Sequence, residues 1–357
     1  MCMVIYGVPD RLDSTSCKYF CGTCKLCIMN TSNEPFLAAS VIKNIGRGKK
    51  GARDMARQEA CDLYSAMLDG RVSDMELGGI LLAMRIKGES VSEIAGFMDA
   101  AEASFDKLPS MPGKYAPVLI PSYNGSRKMA NLTPLLAMLL AQEGVPVLVH
   151  GVLTDPGRVT TAEIFAAMQL APARSLADVQ AAFALRQPSF MAIESLAPKL
   201  AYMLSLRRIL GVRNSTHTLV KILQPFDAPA LRLVSYTHPE YLEMLGEYFM
   251  TAAPYERGHA FLMRGTEGET VANANRAQQI DWFHDSERTI LVQRDAPTDD
   301  LAQVPAERDA ATTAAWIAQA LRGEVPVPAS ILAQVAQCLH VSTLIQANRG
   351  DHHGANG

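Results

Sequence analysis

Apolar residues along this chain follow two rhythms in turn. From about residue 34 to residue 104 they recur at three- and four-residue spacing. Ala60, Leu63, Tyr64, Met67 and Leu68 form one such stripe, and Gly70 follows it. That spacing predicts an amphipathic helix with a glycine stop. Ser73-x-x-Glu76 and Ser90-x-x-Glu93 predict two more helix starts, because a hydroxyl and a carboxylate three residues apart satisfy free backbone amides reciprocally. The first start leads into Leu77, Ile80, Leu81 and Met84, the second into Ile94, Phe97, Met98 and Ala101. Three short helices joined by tight turns predict a small helical domain.

The second rhythm begins at residues 117–120, an apolar run too short for a helix and bounded by proline. It reads as a buried strand. A polar loop at 122–131 leads to Thr133-Pro134, suited to the N-cap and first turn of an apolar helix that Gly144 ends. Residues 145–149 read as a second buried strand. Strand, loop, helix and strand in this order build parallel α/β sheets, in which ligands sit beyond the carboxyl ends of the strands. Here that means the 122–131 loop and the His150-Gly151 corner. The loop carries Arg127-Lys128 and offers amides near a helix N-terminus, a combination suited to phosphate.

The rhythm continues downstream. Thr160-x-x-Glu163 caps a helix, a second helix covers 175–185, and a short strand lies near 189–193. Residues 197–210 read as one apolar helix ending in Arg207-Arg208 and stopped by Gly211, a place where the helix dipole favours cations. Arg213-Asn214-Ser215 introduces another helix. Residues 231–235, 238–250 and 259–263 read as strand, helix and strand. A polar loop follows at 266–275, then an edge strand at 288–293, and helices at 310–322 and 328–340 close the fold. The domain expectation is a helical domain at 34–107, completed by about 195–226, and an α/β domain at 115–194 and 228–345. Residues 346–357 are expected to be a frayed tail. Their His352-His353 pair is weak evidence for metal.

Composition limits the function classes. The chain has 357 residues, 48% of them hydrophobic, and a formal net charge of −3. No apolar run approaches the roughly 20 residues of a membrane span, so a cytoplasmic protein without a membrane partner is expected. The charge is unevenly placed: residues 43–57, 107–142 and 195–226 carry +5, +4 and +5. Clustering of that kind costs self-repulsion and points to an anionic ligand. The stretch 43–53, with Lys43, Arg47, Lys49, Lys50 and Arg53 among three glycines, reads either as an arm that follows a phosphate backbone or as a solvated leader. Cys17, Cys21, Cys24 and Cys27 have a spacing found in zinc and iron–sulfur sites. Residues 1–33 lack periodicity, however, and are read as a disordered or wrongly included extension, without a metal site.

Residues 68–101, Leu148-Val149-His150-Gly151, residues 207–225 and residues 263–269 together resemble anthranilate phosphoribosyltransferase. The resemblance spans nearly everything from about residue 43 to residue 340. It implies an α/β fold of the nucleoside phosphorylase and phosphoribosyltransferase class. That fold has a small helical domain and a larger, mostly parallel sheet domain with flanking helices, and it usually dimerises through the helical domain. The family binds phosphoribosyl pyrophosphate on a GTGGDG loop. Here the corresponding residues are Pro121, Ser122, Tyr123, Asn124, Gly125 and Ser126. The family's NIST segment is matched in part by Asn131, Leu132, Thr133 and Pro134, and its KHGN corner only by His150 and Gly151. Its magnesium-holding Asp-Glu pair has no adjacent counterpart beyond Gly265, where Glu267 and Glu269 stand apart.

These departures resemble a TrpD-like branch that is regarded as homodimeric, nucleic-acid-binding and without demonstrated phosphoribosyl transfer. The resemblance implies binding of DNA, or of single-stranded DNA or RNA, by Lys43, Arg47, Lys49, Lys50, Arg53, Arg127, Lys128, Arg158, Arg207, Arg208 and Arg213. A vestigial substrate pocket is expected at Ser122, Asn124, Gly125, Asn131, Thr133, His150 and Gly151, with no catalytic residue, metal or cofactor. The competing expectation is a phosphoribosyl or related pentosyl transferase with a different acceptor, using magnesium.

Overall fold

The structure, a computed structural model, describes residues 34–48, 50–109, 111–294 and 303–354. The cysteine cluster, Lys49 and residues 355–357 lie outside them. Four helices come first: α1 (Ala39–Ile45), α2 (Arg57–Leu68), α3 (Asp74–Lys87) and α4 (Val91–Ala103). The chain continues through β1 (Val118–Ser122), α5 (Thr133–Gln142), β2 (Val147–Gly151), α6 (Thr161–Ala167), α7 (Leu176–Ala184) and β3 (Ser189–Ala192). Four short helices follow, α8 (Ile193–Leu196), α9 (Pro198–Ser205), α10 (Arg207–Leu210) and α11 (Thr216–Leu219). Then come β4 (Ala230–Tyr236), α12 (Pro239–Thr251), β5 (Gly258–Arg264), β6 (Ile280–His284), β7 (Glu287–Val292), α13 (Ala310–Leu321) and α14 (Ala329–Gly354).

The strands form one sheet in the order β3-β2-β1-β4-β5-β6-β7, parallel from β3 through β5 and antiparallel at β6 and β7. Alternation divides its side chains. Val118, Ile120, Val147, Val149, Leu231, Leu233, Phe261 and Met263 bury against α5, α6, α13 and α14. Leu119, Leu148, Met191, Val234 and Leu262 share the other core with the amino-terminal helices and α8, α9, α11 and α12. The chain fills the sheet on one side of β1, then returns to fill the other. β1 and β4 therefore meet at a topological switch point, where their carboxyl ends leave a crevice.

The helical part is fastened in the same terms. Ser73, Ser90 and Thr160 each form the full capping box their spacing implies. Tyr64 Oη lies 2.7 Å from Thr216 Oγ1 in the core, joining α2 to α11. The two chain crossings between helices and sheet pair with each other: Leu108 N–H donates to Pro225 O, and Asp227 N–H to Leu108 O.

Four elements differ from expectation. The 197–210 helix is divided, because Pro198 starts α9 after a non-helical Ala197 and a tight turn at Leu206 separates α10. The N-cap side-chain role falls to Asn131, whose Oδ1 accepts the Thr133 N–H, while Thr133 itself starts the helix. β6 was not anticipated. Its Asp281 is buried and paired with Arg288, and a bulge at Ile280/Asp281 breaks the alternation. The last helix runs on to Gly354, so residues 346–354 belong to α14 and not to a tail.

α2 and α4 pack closely at Gly96: a Cβ there would lie 2.1 Å from Arg57 O and 2.8 Å from Ala60 Cβ. Gly96→Ala must push the helices apart and is expected to cost about 1–3 kcal/mol, the range for overpacking. Urea denaturation measures this, and an unchanged midpoint contradicts the packing described.

Candidate functional site

The crevice at the strand ends is bounded by the β1–α5 loop, the residues after β2, and the overhanging helices α8 to α11. It encloses about 400 Å³ and is lined by Tyr123, Asn124, Asp155, Glu194, Arg207, Arg208, Arg213, His217 and Lys221, among others. Backbone proximity shapes its floor. Gly151 lies against β1, where a Cβ would fall 1.8 Å from Ser122 O. Gly125 has φ +64, and its Cβ would meet Val159 O at 2.7 Å. Glycine is the side chain that fits both places.

The β1–α5 loop directs its amides inward, onto acids of the β5–β6 loop. Glu269, 1% exposed, accepts from Asn124 N at 3.0 Å and Gly125 N at 2.7 Å through Oε1. Its Oε2 lies 3.5 Å from the Thr133 hydroxyl. Glu267 accepts from Lys128 N at 2.9 Å, from the Ser126 hydroxyl at 2.6 Å, and from Arg127 N. Burial alone would raise the Glu267 pKa. The Ser126 hydroxyl and the two amides outweigh burial and hold it below the ordinary value. Asn124 completes the join: its Nδ2 donates to Gly268 O at 2.9 Å, and its Oδ1 accepts from Arg213 Nη2 at 3.0 Å.

His150, at the end of β2, is buried, and burial drives its pKa down to about 3, so the ring is neutral. The Tyr123 hydroxyl lies 2.8 Å from His150 Nδ1. Burial also raises the phenol's pKa, so the hydrogen bond joins two neutral groups, and its direction follows the tautomer of the ring. Tyr123 thus packs on its own domain. Asn131 and Ser122 both bond Thr161 Oγ1, at 3.2 and 2.8 Å.

The cations crowd one another. Burial, then Arg207 and Arg158, lower the Arg213 pKa. Burial takes Lys221 down to about 8 despite the attraction of Glu269, and burial followed by Arg213 takes His217 to about 4.

The expected cations occupy three places. Arg207, Arg208 and Arg213 line the crevice, and Arg158 adjoins them, bonding Gly125 O at 3.2 Å. Arg127 and Lys128 are exposed on the outer side of the loop, where Arg308 Nη1 donates to Arg127 O. Lys43, Arg47, Lys50 and Arg53 are exposed after or on α1. Their segment is fastened by contacts of α1 with α3 and by Met55 N–H on Glu93. None of them is among the residues that line the crevice. Sequence reasoning left out Lys221, His217 and Arg308 as site residues, and did not foresee that Glu267 and Glu269 fill the loop. An Asn-Gly-Ser turn read against two nearby acids was the available signal. Among the described residues no group of three or more His, Cys, Asp or Glu side chains is arranged to hold a metal ion. No helix among them is long and apolar enough to cross a membrane.

A helical bundle beside a mostly parallel sheet, with a crevice at the switch point, is the fold found in the anthranilate phosphoribosyltransferases. The helical bundle domain of the glycosyl transferase family matches residues 39–104. The chain is 46% identical over 301 residues to the uncharacterized protein YbiB of Escherichia coli K12, covering 84% of this chain and 92% of that one. It is 27% identical over 222 residues to an anthranilate phosphoribosyltransferase of Anaeromyxobacter, covering 61% and 64% of the two. The solved anthranilate phosphoribosyltransferase of Thermus thermophilus superposes with a TM-score of 0.63 at 19% identity, over 86% of this chain and 89% of that one. The protein belongs to the TrpD-like proteins of this glycosyltransferase family, together with YbiB.

The neutral, buried His150 makes stability depend on pH. Its folded pKa of about 3 lies below the ordinary 6.5, so between those values the unfolded chain takes up a proton that the folded one refuses. Stability is full above about pH 6.5 and falls as pH drops toward 3, by up to about 1.4 kcal/mol per unit. Thermal melts at pH 7, 6, 5 and 4 are expected to show this, with a shallower fall in His150→Gln. An equally steep fall in that variant would remove His150 as a source.

Proposed function

We propose that this protein is a cytoplasmic homodimer that binds nucleic acid with little sequence preference and transfers no phosphoribosyl group. The observation that carries the reading is the state of its cations. Arg127, Lys128, Arg207, Arg208, Lys43, Arg47, Lys50 and Arg53 are exposed, and none forms an ion pair among the described residues. They are spread over the crevice, the outer loop and the arm. A polyanion can engage more than one such place, and release of its condensed counterions then supplies the affinity. Contacts of this kind position a backbone without reading bases. Helix α3 supports the dimer: Met75, Leu82 and Ile86 are exposed on one of its faces, near exposed Leu37.

The competing reading is a pentosyl transferase, favoured by the crevice at the switch point and by the similarity to anthranilate phosphoribosyltransferases. It calls for magnesium, whose oxygen ligands need near-octahedral freedom. Glu267 and Glu269 already accept amide hydrogens, so they do not fit that ion as they stand. Saturable binding of phosphoribosyl pyrophosphate with magnesium, and pyrophosphate release with any acceptor, would favour the enzyme.

If about six phosphates are neutralised, log affinity falls against log salt with a slope of about −5 for unrelated duplex DNA and about −4 for single-stranded DNA. Joint replacement of Lys50, Arg127, Lys128, Arg207 and Arg208 by glutamine should weaken all sequences alike and flatten the slope by about 1 for each phosphate no longer neutralised. Fluorescence anisotropy across a salt series measures both; affinity indifferent to salt overturns the reading. Leu82→Glu with Ile86→Glu is expected to yield a folded monomer by light scattering, and a dimer that survives both changes moves the interface elsewhere.

A further inference from the structure

Burial pushes two lysines of this chain, Lys107 and Lys221, down to about 8. Their surroundings are opposite. Lys107 Nζ donates to Gln224 O at 3.0 Å and lies 3.5 Å from Glu102, so acceptors hold its protons. Lys221 lines the crevice from the turn after α11, between buried Val220 and Ile222. It makes no hydrogen bond or ion pair among the described residues. Arg207, Arg208 and Arg213 line the same crevice. A lysine amine that has lost its water and has cations beside it is a nucleophile near neutral pH. We infer that Lys221 is a modification site, where the amine takes up carbon dioxide as a carbamate that the crevice arginines hold.

Carbon dioxide is the one co-reactant. The lone pair of the neutral amine forms a bond to its carbon, one C=O electron pair moves onto oxygen, and an amine proton leaves to solvent. At pH 7.5 about one Lys221 amine in four is neutral, against about one in a thousand for a lysine at the ordinary 10.5. The product has the planar, two-oxygen form of a carboxylate, which guanidinium groups bind well. Its neighbours decide whether it persists. Arg213 before α11, Arg207 and Arg208 on α10, and His217 on α11 gain from an anion at this place, since they crowd one another and Lys221 adds to the strain on His217. Glu269 of the β5–β6 loop, Asp155 after β2 and Glu194 on α8 oppose it. Glu269 is already met by two loop amides, Asp155 lies 3.9 Å from Arg158, and Glu194 is exposed to water, so their opposition is weakened. At Lys107 the same conversion would set an anion against Glu102 and break the bond to Gln224. The crevice thus holds one buried group that passes from cation to anion with dissolved carbon dioxide.

The test uses carbon dioxide and no nucleic acid, so its outcome is separate from that of the polymer reading. The full wild-type chain is equilibrated with carbon dioxide at pH 8, any carbamate is fixed as its ethyl ester with triethyloxonium, and the digest is read by mass spectrometry. Lys221 is expected to carry the ester at an occupancy at least tenfold above Lys107 and the exposed Lys128. An unmodified Lys221 overturns the inference. Equal occupancy of Lys221 and Lys107 also overturns it, because a lowered pKa would then explain the reaction without the arginines. At the same carbon dioxide pressure the occupancy is expected to fall at least tenfold from pH 8 to pH 6, as the amine takes up its proton, and a yield indifferent to pH contradicts attack by the free amine. Carbon-13 NMR with labelled carbon dioxide reads the same event in solution. A carbamate resonance that vanishes when the gas is removed is expected in wild type and absent in Lys221→Arg and Lys221→Gln, and its survival in both variants places the reaction on another amine.

Discussion

A carboxylate out of reach of water must be met by donors, or its burial costs far more than a fold can sustain. Glu269 meets this condition by joining the ends of three segments at the switch point. It takes the amides that follow β1 and the hydroxyl that opens α5, and it stands on the turn that follows β5. Ser235, on β4, donates to the Gly268 carbonyl of that same turn. Arg213, from the overhanging helices, reaches Asn124. The floor of the crevice is therefore one hydrogen-bonded network whose parts lie far apart in sequence, and a change at any member is felt by the others.

The same economy of acids recurs in the helical part. Glu93 is buried and accepts from Met55 N, Ser90 N and Lys87. Glu102 pairs with Arg257 and Lys107 and accepts from Gln224 N. These carboxylates lie inside as structural acceptors. Arg207 and Arg208 at the crevice, and Lys43, Arg47, Lys50 and Arg53 on the arm, remain at the surface instead.

Much of this was legible in the chain because it depends on local chemistry. Capping boxes at Ser73, Ser90 and Thr160, the short apolar runs of β1, β2 and β3, and Gly211 as a helix stop all act over a few residues. What was missed depends on tertiary partners. Asp281 looks wrong for a strand until Arg288 faces it across a hairpin. Ser342 looks like the polar end of a helix until it proves to be buried, bonded to Ala116 O and followed by buried Ile345. Glu267 and Glu269 read as an incomplete metal pair. Their actual acceptor role appears only when a loop some 140 residues earlier is folded against them. The cations were identified by type, but their three separate locations were not, because charge clustering in sequence carries no direction in space.

The fold is shared with enzymes at 19% identity, and fold alone does not transmit activity, since function resides in the groups placed on it. The crevice groups here are unfavourable to one another. Arg213 is held below its ordinary pKa partly by Arg207 and Arg158, and His217 partly by Arg213. Mutual repulsion among crowded cations is a standing cost to the folded state, and an anion lying across them removes it. The loop amides are in the opposite condition, because internal carboxylates satisfy them already. A ligand approaching this face thus meets unpaired cations before it meets any free backbone donor. Long-range attraction to side-chain charge, without a tight backbone cradle, favours an extended polyanion over a compact ester.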